Sequence, residues 1–165
     1  MRKVVSCILL VMFCFVLDAS TGKKRIELDD ITTKELLAII QQSEKLHKYM
    51  FGRKEPMVTS QINLLRNNIK STVKKVKGQQ GQHVSKILNA VNKELTSAQM
   101  TSGEDRVRYL QHAFKQIVML YQSYEIKASY KVFFCKTDRA VWIQEDGKKP
   151  ENPFQVTSNC GRKVF

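Results

Sequence analysis

The chain has 165 residues and a formal net charge of +13, from 28 lysine and arginine residues against 15 aspartate and glutamate residues. A chain of this length is typical of one domain and can bury about two thirds of its unfolded surface. A core of that extent removes the need for a structural metal ion.

The first residues have the pattern of a secretory signal peptide. Arg2 and Lys3 precede an apolar run from Val4 to Leu17, and small residues follow it up to Gly22. Fourteen residues are too few for a membrane-spanning helix, which needs about 20. We therefore expect residues 1–21 to be removed and the protein to be secreted, with no transmembrane segment. Removal would leave 26 basic and 14 acidic side chains, a net charge of +12.

Cysteine usage agrees with export. Cys7 and Cys14 lie in the predicted signal peptide, which leaves Cys135 and Cys160 as the remaining pair. An even number of cysteines in an oxidising compartment favours a disulfide bond between them. Two free thiols or an intermolecular bridge are the alternatives.

The first two predicted helices cover about residues 33–50 and 60–77, where apolar residues recur three or four apart. Thr32 and Glu35 form a capping pattern at the start of the first helix. Gly52 and Pro56 separate the two helices, because glycine is favoured just after a helix and proline cannot continue one. The Gly78–Gly81 stretch is predicted to end the second helix.

Two further helices follow. The third covers about residues 84–98, and the fourth begins after Ser102 and reaches about Lys127 or beyond. Four amphipathic segments with short connections must bury their apolar stripes against one another. The sequence therefore predicts a mainly α fold, with a four-helix bundle-like domain over residues 22–128.

The remaining residues, 129–165, are predicted to form an extension that packs on the bundle. Short β-strands are indicated by alternating apolar residues from Tyr130, by residues 141–143 and by residues 154–157, with a turn at 146–147. An equally good interpretation continues the fourth helix through Cys135. In either case, closing 24 residues between Cys135 and Cys160 stabilises this segment by about 3 kcal/mol.

Positive charge is concentrated between Gly52 and Gln82, where the net charge is +6. Helical spacing places four basic residues on one face of the second helix. The predicted site for an acidic receptor surface or another polyanion consists of Arg66, Lys70, Lys74, Lys75 and Lys77. The alternative is a solvated face that keeps a basic protein soluble. An extracellular location and the lack of interleaved aromatics rank sulfated glycosaminoglycan, anionic lipid or an acidic receptor above nucleic acid.

No catalytic motif, cofactor or metal site is predicted. His47, His83 and His112 lack the spacing of a zinc site, and no nucleophile elbow or phosphate loop is present. Acidic pairs such as Asp29–Asp30 are interpreted as helix caps. Trp142 is either an exposed interaction anchor or a buried plug that seats the extension on the bundle.

The sequence thus favours a non-enzymatic, secreted protein that acts by binding, as a cytokine-like or growth-factor-like ligand or another extracellular interaction module. One alternative is a peptide-hormone precursor cut at the basic sites Lys23–Arg25 and Gly52–Lys54. Further alternatives are a carrier of small apolar ligands and a membrane-active defence protein. The sequence does not decide the oligomeric state.

Overall fold

The computed structural model describes residues 24–154 and 160–165. The predicted signal peptide lies outside the described residues. The described part of the chain is mainly helical, with 64% of its residues in four helices and a small three-stranded sheet beside them.

The four helices follow one another with very short connections. They are α1, Asp30–Phe51; α2, Glu55–Lys75; α3, Gly78–Met100; and α4, Gly103–Ser123. Three residues connect α1 to α2, and two residues form each of the next two connections. Connections this short favour consecutive helices that are antiparallel neighbours, and each consecutive pair is in contact.

The start of α1 differs from the predicted capping pattern. Asp29 is the N-cap, and its carboxylate accepts hydrogen bonds from the Thr32 backbone N–H at 2.9 Å and from the Thr32 hydroxyl at 2.7 Å. Glu35 instead accepts from Lys75 Nζ at 2.7 Å and from the Thr72 hydroxyl at 3.0 Å. The predicted Thr32–Glu35 capping pattern is therefore wrong, because Asp29 occupies the cap and Glu35 binds α2.

The ends of α2 also differ from the prediction. Pro56 lies in the first turn of α2, where a missing N–H costs nothing, so the helix starts near Glu55 rather than Ser60. Val76 is extended, and α2 ends at Lys75. Gly78 has a φ of +72° and opens α3, so the Gly78–Gly81 stretch starts a helix instead of ending one. Gly81 is needed there, because an added Cβ would lie 2.9 Å from the Val76 carbonyl carbon.

Helix α4 ends before the residues that were predicted to extend it. Tyr124 is extended, with φ −116° and ψ 149°. The alternative of a continuous helix through Cys135 is therefore wrong. The chain before α1 pairs with this end, since Ile26 N–H donates to the Ser123 carbonyl at 3.0 Å and Glu125 N–H donates to the Ile26 carbonyl at 2.9 Å.

The predicted strands in the C-terminal segment are confirmed at two places. The strands are β1, Tyr130–Cys135; β2, Ala140–Glu145; and β3, Arg162–Lys163. They form an antiparallel sheet in the order β2-β1-β3, with Phe133 opposite Trp142. Phe154 lies in a turn, and the rest of the strand predicted at 154–157 falls outside the described residues. Strand β3 was not predicted.

One hydrophobic cluster joins the helices to the sheet. It contains the inner stripes of all four helices together with buried side chains of β1 and β2, among them Val132, Trp142 and Ile143. Strand β2 packs against both α1 and α4, which contact each other less than any consecutive pair of helices does. The sheet thus covers the side where the first and last helices meet.

The predicted disulfide between Cys135 and Cys160 is confirmed, with the two Cα atoms 5.3 Å apart. It ties the end of β1 to the chain just before β3. The next residue is Gly161, where an added Cβ would lie 2.7 Å from Pro150 Cβ and 2.8 Å from Trp142 Cη2. The chain therefore passes this point in direct contact with the buried tryptophan.

Candidate polyanion-binding surface

The segment that forms most of α2 and α3 carries no acidic residue. Between residues 56 and 93 the sequence contains seven lysine and arginine residues and neither aspartate nor glutamate. An uninterrupted basic segment of this length concentrates positive potential on one part of the molecule. The structure determines which of these seven side chains can reach a partner.

Three of the five residues predicted to bind a polyanion are exposed and lack an acidic partner. Lys70 and Lys74 lie on the outer side of α2, and Lys77 lies in the connection to α3. Among the described residues, no carboxylate oxygen lies within 4 Å of the Nζ atom of any of the three, whereas other lysines have such partners. These three ammonium groups are therefore available to an anionic partner.

The other two predicted residues make internal contacts. Arg66 is half-buried and donates a hydrogen bond to the Gln99 side-chain oxygen on α3. Lys75 lies on the α1 side of α2, where it pairs with Glu35 and holds the pKa of that carboxyl below its ordinary value. The five residues therefore do not share one face: Arg66 faces α3, Lys75 faces α1, and Lys77 lies beyond the end of the helix.

Two lysines of α3 belong to the same basic region and were missed from the sequence. Lys86 and Lys93 are exposed, and no carboxylate of the described chain lies within 4 Å of either Nζ. The absence of acidic residues from 56 to 93 is the signal that could have found them. The charges of α2 alone do not indicate them, because they lie on the following helix.

Trp142 is fully buried in the sheet. Its ring stacks on Phe133 with centroids 5.9 Å apart, and its Nε1–H donates to the Gln144 side-chain oxygen at 3.1 Å. This is the placement expected of a plug that seats the C-terminal segment. An interaction anchor needs an exposed ring, and this ring has no exposed surface.

The three histidines lie apart and make separate contacts. His47 is fully buried and donates from Nε2 to the Glu151 carbonyl at 2.6 Å; burial holds its pKa below the ordinary value. His83 contacts the Tyr124 hydroxyl, and His112 faces Glu94. Cys135, Asp138 and Cys160 bring potential metal ligands within 4.8 Å, but the two sulfur atoms are bonded to each other and offer no thiolate.

The two basic sites proposed for precursor cleavage, Lys23–Arg25 and Gly52–Lys54, are in different surroundings. The guanidinium of Arg25 lies 4.3 Å from the ring centroid of Phe165 and 5.2 Å from that of Tyr121. The residues Gly52–Lys54 are exposed, but they form a three-residue connection whose backbone N–H groups all donate to carbonyls of α1. A protease would therefore need this connection to open before it could bind it as an extended strand.

An open cleft of about 690 Å³ lies at the end where α2 and α4 begin. Its apolar lining includes Val58, Val107 and Phe154, and its charged lining consists of two acidic and two basic side chains, Glu55, Glu104, Arg106 and Arg108. The volume lies within the usual range for small-molecule sites. The balanced charges favour neither an anionic nor a cationic ligand.

A search of protein-family models, curated proteins and solved structures found no match to this chain. Within the described residues, no helix combines the length and hydropathy that crossing a bilayer requires.

Proposed function

We propose that this chain is a secreted basic protein that acts by binding an acidic extracellular partner, a protein receptor or a sulfated glycosaminoglycan. In this proposal its helices form a four-helix bundle-like domain, as in a cytokine-like or growth-factor-like ligand, and the C-terminal segment packs on that domain. The observation that supports binding is the set of exposed lysines without acidic partners, Lys70, Lys74 and Lys77, in a segment free of acidic residues.

The energetics of this cluster favour an anionic partner. Like charges four residues apart on a helix repel by a few tenths of a kcal/mol per pair, as for Lys70 and Lys74. Within the described chain no carboxylate oxygen lies within 4 Å of either Nζ atom, so a bound anion would relieve the repulsion. The same positive field would accelerate the approach of an acidic partner at low ionic strength.

The alternatives have weaker support in the contacts. Excision of residues 26–51 would remove core side chains of α1, such as Leu36, Ile39 and Leu46, and expose the surfaces that they cover. The mass of the secreted product discriminates: an intact chain starting near residue 22 excludes precursor processing, whereas a fragment ending at Phe51 supports it. Membrane activity lacks support because the lysine cluster has no exposed tryptophan or phenylalanine beside it.

Heparin is the probe for this proposal. Changing all three of Lys70, Lys74 and Lys77 to glutamate should weaken heparin binding by about tenfold or more at physiological salt. Each lost contact between an ammonium group and an anionic group of the polymer costs several-fold in affinity. Wild-type affinity should fall steeply as salt rises.

The matched control replaces Lys45, Lys136 and Lys149 with glutamate. These lysines are exposed and lie on α1 and in the C-terminal segment, so the control makes the same change in net charge away from the proposed surface. Binding in the control should change much less than in the triple variant. Equal affinities of the two variants would show that total charge, rather than this surface, determines binding.

A further inference from the structure

Contacts between α2 and α3 define how the lysines of the two helices are aligned. Gln99 of α3 contacts both Arg66 and Asn63 of α2. Because the helices are antiparallel, residues before Gln99 lie level with residues after Arg66. Gly81 of α3 in turn lies against Val76, at the other end of the helix pair. Lys86, five residues after Gly81, is thus level with the part of α2 between Lys70 and Lys74, and Lys93, six residues before Gln99, is level with the part between Arg66 and Lys70.

Together these lysines form two adjacent rows. Lys86 and Lys93 are seven residues apart and so share one face of α3, and both are exposed. At a rise of about 1.5 Å per residue, Lys86 and Lys93 lie roughly 10 Å apart along α3, and Lys70 and Lys74 lie roughly 6 Å apart along α2. Neighbouring helix axes are about 8–10 Å apart, so the two rows of lysines lie side by side on α2 and α3.

The nearest acidic side chains of α1 and α3 point away from this area. Glu94 faces His112 of α4, with its Oε2 atom 3.7 Å from the His112 Nδ1 atom. Glu35 lies on the α1 side of α2. Near these lysines, the exposed polar residues of α2 and α3 include Asn67, Ser71 and Asn89. These groups donate hydrogen bonds to anionic and hydroxyl oxygens.

The composition of this area indicates the chemistry of its ligand. It presents no exposed aromatic ring on which a base could stack, and its exposed apolar neighbours are two single side chains, Leu64 in the middle of α2 and Met100 at the end of α3. Insertion into a bilayer requires an apolar face beside the charges. We infer that the two-helix lysine surface, defined as Lys70, Lys74, Lys77, Lys86 and Lys93, binds a linear sulfated polysaccharide across α2 and α3, an inference that rests on the proposed function.

The decisive variants lie on α3. Substituting Lys86 and Lys93 with glutamate should weaken heparin binding about tenfold at physiological salt. The plot of log affinity against log salt should become less steep, by the amount expected for the loss of about two ionic contacts. The control with Lys136 and Lys149 changed to glutamate carries the same net charge and should retain most of the wild-type affinity. Circular dichroism and thermal unfolding verify that each variant is folded, and an alanine pair at residues 86 and 93 replaces the glutamate pair if that pair unfolds.

The outcomes separate this inference from the proposed function. If the α2 triple variant loses affinity and the α3 pair does not, the two-helix surface is wrong while the proposed function stands. If neither variant loses affinity relative to its control, both are wrong.

The class of ligand is tested with other anionic probes. Desulfated heparin and poly-L-glutamate should bind much more weakly than heparin, and vesicles containing phosphatidylserine should not bind through these lysines. Equal affinity for poly-L-glutamate would overturn the sulfated polysaccharide in favour of any acidic chain. Vesicle binding that is lost in the α3 pair would overturn it in favour of a membrane surface.

Discussion

The helices and the C-terminal segment are held in place by different interactions. The helices contribute continuous apolar stripes, and consecutive helices pack along their lengths. The segment from β1 onward adds a covalent bond and a set of buried hydrogen bonds to its apolar contacts. Apolar packing is non-directional and tolerates substitution of one apolar residue by another, whereas buried hydrogen bonds require specific partners.

Gln144 shows this difference most clearly. Its side-chain oxygen accepts from Trp142 Nε1–H at 3.1 Å and from the Glu151 backbone N–H at 3.0 Å, and its amide nitrogen donates to the Lys149 carbonyl at 2.6 Å. One buried side chain thus connects β2 to the chain that follows it. By contrast, the buried Gln61 of α2 makes one hydrogen bond, to the Gln42 carbonyl at 3.1 Å.

The largest expected effect is loss of the disulfide. Replacing Cys135 and Cys160 with serine should lower the free energy of unfolding by about 3 kcal/mol, because the unfolded chain regains the entropy of an open loop. Urea unfolding followed by circular dichroism measures the change. A variant as stable as the wild type would show that packing alone holds the C-terminal segment.

The next effect tests the hydrogen bonds of Gln144. Gln144→Leu should cost about 2 kcal/mol, because it leaves two donors and one acceptor without partners while preserving side-chain volume. Gln61→Leu, its counterpart in the helices, should cost about 1 kcal/mol or less. The two variants are compared by urea unfolding, and a larger loss in Gln61→Leu would reverse the proposed contrast between the regions.

The smallest effect depends on pH and involves the contact between the two regions. His47 of α1 donates to the Glu151 carbonyl, and burial lowers its pKa in the folded protein. Its Nδ1 has no hydrogen-bond partner among the described residues, so a second proton there would be buried without an acceptor. The unfolded chain binds that proton near pH 6.5, and the folded protein does so only at lower pH.

The contribution of His47 to stability is therefore complete above about pH 6.5 and decreases as the pH falls toward the lowered pKa, by up to about 1.4 kcal/mol per pH unit. Glu151 opposes this shift, and Lys48 and Lys148 add to it. Unfolding measured between pH 7 and pH 5 should show a shallower decline in His47→Gln. His112→Gln is the control, because His112 is more than half exposed. Identical pH profiles for wild type and His47→Gln would contradict the argument.

The same contrast explains what could be predicted from the sequence. The apolar stripes of the four helices were recognisable because burial imposes the same spacing over many residues. Helix ends were less predictable, because they depend on single contacts such as Asp29 with Thr32. Strand β3 has two exposed residues, so no apolar alternation marks it, and its pairing partner β1 is nearly 30 residues away.

The candidate site was predictable only in part. Exposed lysines at helical spacing identified Lys70 and Lys74, but spacing alone did not reveal that Arg66 contacts Gln99 or that Lys75 pairs with Glu35. Those contacts depend on which helix lies beside each residue. The alignment of Lys86 and Lys93 with α2 likewise follows from tertiary packing.

The contact between Arg25 and Phe165 brings the chain just before α1 beside the residues that follow β3. Phe165 also accepts a hydrogen bond from the Val132 backbone N–H at 2.9 Å, so this position is fixed relative to β1. A short peptide linker could therefore join these two regions in a circular permutant, with new ends at the exposed connection formed by Gly52–Lys54. Such a rearranged chain would keep both rows of lysines in one uninterrupted helical pair.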